Sequence, residues 1–154
     1  MSLWDWAVTA YAAPGVSEAC LELQDAHGQS VPLLLWAAWT AREGRPLDED
    51  AVDAACDTAR IWDEIAIAPL RAVRRRLKTR TPDMDDAARE AVREQVKAVE
   101  LDSERRLLLA LEGVAPAKAG SPRDALKAMS VVARAWSPIT PRPALIRLSE
   151  RLPA

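Results

Sequence analysis

An all-α fold, one domain of six or seven helices around a central apolar helix, follows from three observations. No stretch alternates apolar and polar residues for long, and no Asn-Gly or Asp-Gly hairpin signal occurs in a chain without Asn. Ala, Leu, Arg and Glu dominate, and all four are strong helix formers. Cap residues and Pro or Gly breaks recur along the chain. At 154 residues, 49% apolar and 29% charged, the chain can bury a self-supporting core and has neither a disordered nor a membrane composition. Its longest apolar run, Val31 to Trp39, is nine residues, about half a membrane span.

Each element has its own signal. Ser2 is a good cap for a first helix that carries Leu3, Trp4, Ala7, Val8 and Tyr11 on one face. Trp6 points away from that face, because two residues advance about 200° around a helix. Pro14-Gly15 then breaks the chain. A second helix, roughly Val16 to His27, turns Val16, Ala19, Cys20 and Leu23 inward, shows Glu18, Glu22 and Asp25 outward, and has Gly28 placed to end it. The third, near Pro32 to Arg42, is apolar all round in its first half, which predicts burial on every side and makes it the centre. Gly44 and Pro46 end it.

Asp48, Glu49 and Asp50 open a fourth helix with acids where the dipole favours them. Its inward stripe reads Val52, Ala55, Cys56, Ala59, Trp62, Ala66, Leu70, Val73 and Leu77. The stripe passes Pro69, which kinks the helix or divides it in two. Thr81-Pro82-Asp83 starts a helix from Asp83 to about Glu112, with Met84, Ala88, Val92, Val96, Val99, Leu107 and Leu111 inward. Outward it carries the pairs Asp85–Arg89, Glu94–Lys97 and Asp102–Arg106. Gly113 to Pro122 is a linker within the single domain 1–154. Helices around Arg123 to Trp136 and Ala144 to Leu152 follow, separated by Pro138, Pro141 and Pro143.

Charge and motifs exclude more than they assign. A net charge of −2 rules out a globally basic nucleic-acid binder but leaves room for a local patch. Two Cys and one His cannot build a four-ligand zinc site. There is no Gly-rich phosphate loop, GxSxG, HExxH or EF-hand loop. Cys20 and His27 share a helical face but are separated by about 10 Å of rise, too far for a nucleophile–base pair. Nothing in the sequence brings Cys56 to His27, and both cysteines lie in Ala-rich inward stripes as small hydrophobes. Asp53–Asp57 and Glu18–Glu22 have the i,i+4 spacing that could hold Mg²⁺ for a diphosphate substrate. Offset from the inward stripe, the aspartates read better as a solvated acidic face. The expectation is therefore no catalytic residue, no cofactor and no metal site.

Two surfaces stand out. Arg71, Arg74, Arg75, Arg76, Lys78 and Arg80 place six cations in ten residues with no acid among them. Cations gather at helix C-termini for electrostatic reasons, and Arg outnumbers Lys throughout. Six within ten residues exceed that need, which points to an acidic protein partner or another anionic surface, with nucleic acid the weaker alternative. The second surface is the polar group Gln24, Asp25 and His27 beside the apolar third helix, a candidate pocket among helices 1 to 3. Of six Trp, Trp36, Trp39 and Trp62 have core spacing, while Trp4 and Trp6 cannot both face one core. Trp6 and the segment Ile61 to Ile67 permit a homodimer. The N-terminus lacks the basic flank and apolar stretch of a secretory signal, which points to the cytoplasm and away from membranes.

The blocks Leu3-Trp4-Asp5-Trp6-Ala7, Tyr11-Ala12-Ala13-Pro14-Gly15-Val16, Ala19 to Asp25, and Leu33-Leu34-Leu35-Trp36 resemble a proteobacterial domain-of-unknown-function family of small helical proteins. Trp62, Pro69-Leu70-Arg71 and Arg74-Arg75 to Leu77-Lys78 resemble its second signature. The resemblance implies a bacterial cytoplasmic helical protein and brings no activity or catalytic residue with it. Function is then read as a non-catalytic interaction module using the basic face at Arg71, Arg74, Arg75, Arg76 and Lys78. The alternative is a small enzyme or ligand-binding protein with a pocket among the first three helices.

Overall fold

Side-chain caps start the helices close to where their signals fall. Ser2 Oγ accepts from the Asp5 N–H at 3.1 Å and opens α1 (Leu3–Ala12). After Gly15, in the left-handed region at φ 79, comes α2 (Val16–Asp25), and Gly28 at φ 61 turns the chain out of it. Ser30 caps α3 (Val31–Arg42), and the Asp48 carboxylate takes the Ala51 N–H at 2.8 Å to cap α4 (Glu49–Trp62). A π-helical turn, Asp63–Ile67, joins α4 directly to α5 (Ala68–Leu77). Asp85 caps α6 (Asp86–Gly113), Asp124 caps α7 (Ala125–Trp136), and α8 (Arg142–Arg151) follows Pro141. The structure is a computed structural model describing residues 1–154, all-helical and without strands. With α4, the π turn and α5 counted as one rod, seven helices pack as one domain. None is long and apolar enough to cross a membrane.

The core forms around α3, as its lack of a polar face predicts: ten of its twelve residues are buried. Its broadest neighbour is α7, through Met129, Val132 and Ala133, while Leu107, Leu108 and Leu111 close it from α6. Trp6, Trp36 and Trp39 are fully enclosed, each contributing about 4 kcal/mol of apolar burial. The 113–122 linker belts the end of α3: Ala119 N–H donates to Gly44 O at 3.0 Å and Arg123 N–H to Ala41 O at 2.8 Å. Gly44, at φ 68, is needed there, since a Cβ would lie 2.2 Å from Gly120 O.

Three inward stripes differ from expectation. In α1 the buried face is Leu3, Trp6, Ala7 and Ala10, so Trp6 is core and Trp4, Val8 and Tyr11 look outward. Burying Trp6 also removes it as a dimer contact, whereas Ile61 and Ile65 remain exposed.

The second difference begins at Pro69. Its ring and missing N–H disfavour a tight α-turn before it, and the chain answers with one extra residue in the turn. Ala68 N–H therefore bonds Asp63 O, five residues back. The extra residue rotates everything downstream by about 100°. Ile67, Arg71 and Arg74 turn inward beside Leu70 and Leu77, which keep their expected side, and Val73 is 46% exposed.

In the third, Thr81 to Met84 forms a turn with Asp83 in the left-handed region at φ 67, so the helix waits for the Asp85 cap. Along α6, Glu100 is buried against Arg71 and Arg74, and Arg89 and Ser103 are buried too, while Val92 and Val99, with Met84 before the helix, are exposed. The seam between α5 and the first half of α6 is thus ionic. Of the outer pairs, Glu94–Lys97 and Asp102–Arg106 form, at 3.3 and 2.9 Å. Arg89 instead turns to Leu77 O, Asp86 and Glu90.

Candidate binding groove

The outward face of α1 is not bare surface. Trp4, Val8 and Tyr11, spaced i, i+4 and i+7, line one wall of a groove of about 550 Å³. The opposite wall is α6, with Leu101, Glu104 and Leu108 at i, i+3 and i+7, and the floor is the start of α3 at Val31, Pro32 and Leu35. Gln24 of α2 closes one side. Val8, Tyr11 and Leu101 are 50%, 43% and 58% exposed. The volume suits a binding site, and α1 and the Leu108 end of the α6 wall are anchored because the same helices carry Trp6, Leu107 and Leu111 into the core. The Arg105 guanidinium lies over the Trp4 ring at 5.1 Å and fixes its rim.

Leu101 and Glu104 also wall a second hollow of about 370 Å³, together with Arg74, Glu94, Lys97 and Glu100. Arg74 donates to both oxygens of Glu100, at 2.5 and 3.3 Å, and Arg71 Nε is 3.6 Å from the same carboxylate. Arg71 Nη2 reaches only to 4.0 Å from Glu104. Burial pushes the Glu104 carboxyl above the ordinary glutamate range, the Glu100 charge adds to that, and Arg71 and Arg74 oppose it. Burial, with the neighbouring Cys20 and Glu104, pushes Tyr11 up to about 12, so it stays a neutral phenol.

The basic run is not unopposed. Besides Arg71 and Arg74 on Glu100, Arg75 reaches Asp25 at 2.5 Å and Arg80 reaches Asp86 at 2.6 Å. Only Arg76 and Lys78 of the six make no ion pair. The acids that answer them lie in α2 and α6, which sequence distance conceals. Gln24, Asp25 and His27 separate likewise: Gln24 lines the groove, Asp25 holds Arg75, and exposed His27 stands 4.0 Å from a Glu22 carboxylate held by Arg147. Burial pushes Cys20 up to about 12 and also raises Cys56, so both thiols are neutral. Asp53, Asp57 and Glu18 face solvent, and no three potential ligands gather for a metal.

Sequence reasoning passed over Glu104 and Leu101. Their signal was an acid between leucines at i, i+3 and i+7, hidden because α6 carries two overlapping stripes. A family described as "Protein of unknown function (DUF2390)" matches residues 2–111, which take in every groove residue. No curated protein and no solved structure matches the chain.

Proposed function

The chain belongs to the family "Protein of unknown function (DUF2390)", and we propose that it is a non-catalytic module that takes up an apolar segment of a partner protein along the α1–α6 groove. One observation carries this reading: the apolar groove and the charged hollow lie side by side and share Leu101 and Glu104 as wall residues. Their α6 wall runs from Glu94 to Leu108, about 21 Å at 1.5 Å per residue. That is longer than a compact metabolite and suits a stretch of polypeptide. Apolar residues held half-exposed along one trench are the usual mark of a docking surface.

The basic face plays a smaller part here than its composition suggests. Arg71, Arg74 and Arg75 are occupied within the chain, leaving Arg76 and Lys78 to an acidic surface on the partner. The setting is the cytoplasm, where Cys20 and Cys56 stay reduced.

The test is site-specific photocrosslinking in the native cell. A benzophenone side chain at Val8 or Leu101 is expected to capture the same short segment of one protein, mapped by mass spectrometry. The same probe at Val131, exposed on α7, is expected to miss it. No shared segment, or equal capture from Val131, overturns the reading. Charge reversal at Arg76 and Lys78 is expected to leave the Val8 crosslink in place, and its loss would return docking to the basic face.

A further inference from the structure

We infer that the partner segment is an amphipathic helix that brings one lysine or arginine to Glu104; this rests on the groove being a partner site. The charge account comes first. Around the two adjoining hollows, Lys97 answers Glu94 at 3.3 Å, and Arg74 answers Glu100 with two hydrogen bonds. Arg71 leans to Glu100 as well, and is 0.4 Å closer to it (3.6 Å) than to Glu104 (4.0 Å). Glu104 is left with the weakest partner of the three carboxylates while its side chain is only 30% exposed. A carboxylate in an apolar wall, raised by burial and by a neighbouring negative charge, is costly unless a cation arrives. Its neighbours Leu101 and Leu108 offer none, and Arg105 is turned to Trp4.

The shape sets the partner's conformation. Two apolar stripes, each two helical turns long, flank a trench on α1 and α6, which is how a pair of helices receives a third. An extended strand would bring a row of unpaired backbone groups against walls whose side-chain polar groups are only those of Trp4, Tyr11, Gln24 and Glu104. A helix satisfies its backbone internally and needs to supply only side chains. Apolar residues at i, i+3 or i+4, and i+7 would lie between the stripes, with a cation between them at the level of Glu104.

The experiment is a display selection of random 16-residue peptides on the full chain, counter-selected against Val8→Arg, whose bulk blocks the groove at an exposed position. The expected survivors carry the helical apolar spacing and a Lys or Arg at one fixed register. In one synthesised survivor, exchanging that Lys for norleucine should weaken binding about tenfold, and Glu104→Gln in the protein should do the same without adding to it. Glu104→Lys should recover affinity for the peptide with Glu at that position, which a merely structural Glu104 would not do. Groove-dependent peptides that show no basic preference, or that contain Pro and bind extended, overturn this inference and leave the partner reading standing. A selection with no groove-dependent peptide overturns both.

Discussion

Glu104 is where the fold gives up stability. Its carboxyl is raised by burial and by Glu100, with Arg71 and Arg74 pulling the other way. A group raised in the folded state binds its proton more readily there than in the unfolded chain. Its ionised form is therefore a burden at neutral pH, and the burden lifts as pH falls through the raised value. Glu104→Gln removes the charge and keeps the shape. Its melting temperature at pH 7 is expected to exceed that of the parent, with the gap closing near pH 4, where both carry a neutral group. A lower melting temperature at pH 7 would mean that Arg71 depends on Glu104 more than the 4.0 Å separation implies. Glu22 and Asp86 behave oppositely: hydrogen bonds from Arg147 and from Arg80 lower both, so their stabilisation is present at neutral pH and lost in acid. They act equally in both proteins and cancel in the comparison. A stabilising Glu104→Gln would fit the trade-off by which functional sites hold groups that cost the fold stability. Only the flanking Leu101 and Leu108 separate Glu104 in the sequence from the solvated glutamates Glu90 and Glu94, and the groove that makes the difference includes Tyr11 and Val31 from distant helices.

At the scale of the element, one extra residue decides which chemistry faces inward. Continuing the α4 stripe through Pro69 in α-helical register puts Val73 inside. The π turn instead puts Arg71 and Arg74 there and so creates the ionic seam with Glu100. Proline signalled a disturbance in the sequence, but a kink, a break and a widened turn are equally consistent with it. Ile65, exposed in that turn, is the residue to remove. Its deletion closes the turn to ordinary α geometry while the helices on either side keep their faces. Pro69 would then sit in a helix interior, at a cost of about 3 kcal/mol. Urea unfolding is expected to show that loss for the deletion alone and to recover most of it when Pro69→Ala is added. A deletion that costs nothing without the second change would mean the turn does not exist to accommodate Pro69.

Over the whole molecule, what was legible in the sequence follows from how much register each helix needs. The place of α3 needs none, because a helix apolar on all sides is central however it is rotated. The faces of α1 and α6 depend on register, and there two overlapping stripes compete and only packing chooses. The result is a chain of two unequal parts. The helices α1 to α4, α7 and α8 with the end of α6 share one core, whereas α5 has no buried residue and the start of α6 buries chiefly Arg89. Such a hairpin has little apolar area holding it shut: Arg71 and Arg74 reach the buried Glu100 across it, while the outer pairs Arg75–Asp25 and Arg80–Asp86 are half-solvated and weak. Hydrogen exchange should therefore find the amides of 68–77 and 86–99 opening at a free energy well below that of α3 and α7, which open only with global unfolding. The groove straddles this boundary, with α1 and α3 on the firm side and Glu94 to Leu101 on the soft one. A bound segment would lie across both, so it should slow exchange at 94–104 while leaving α7 unchanged. Uniform protection along the chain, with or without a peptide in the groove, would mean that the hairpin and the core unfold as one unit.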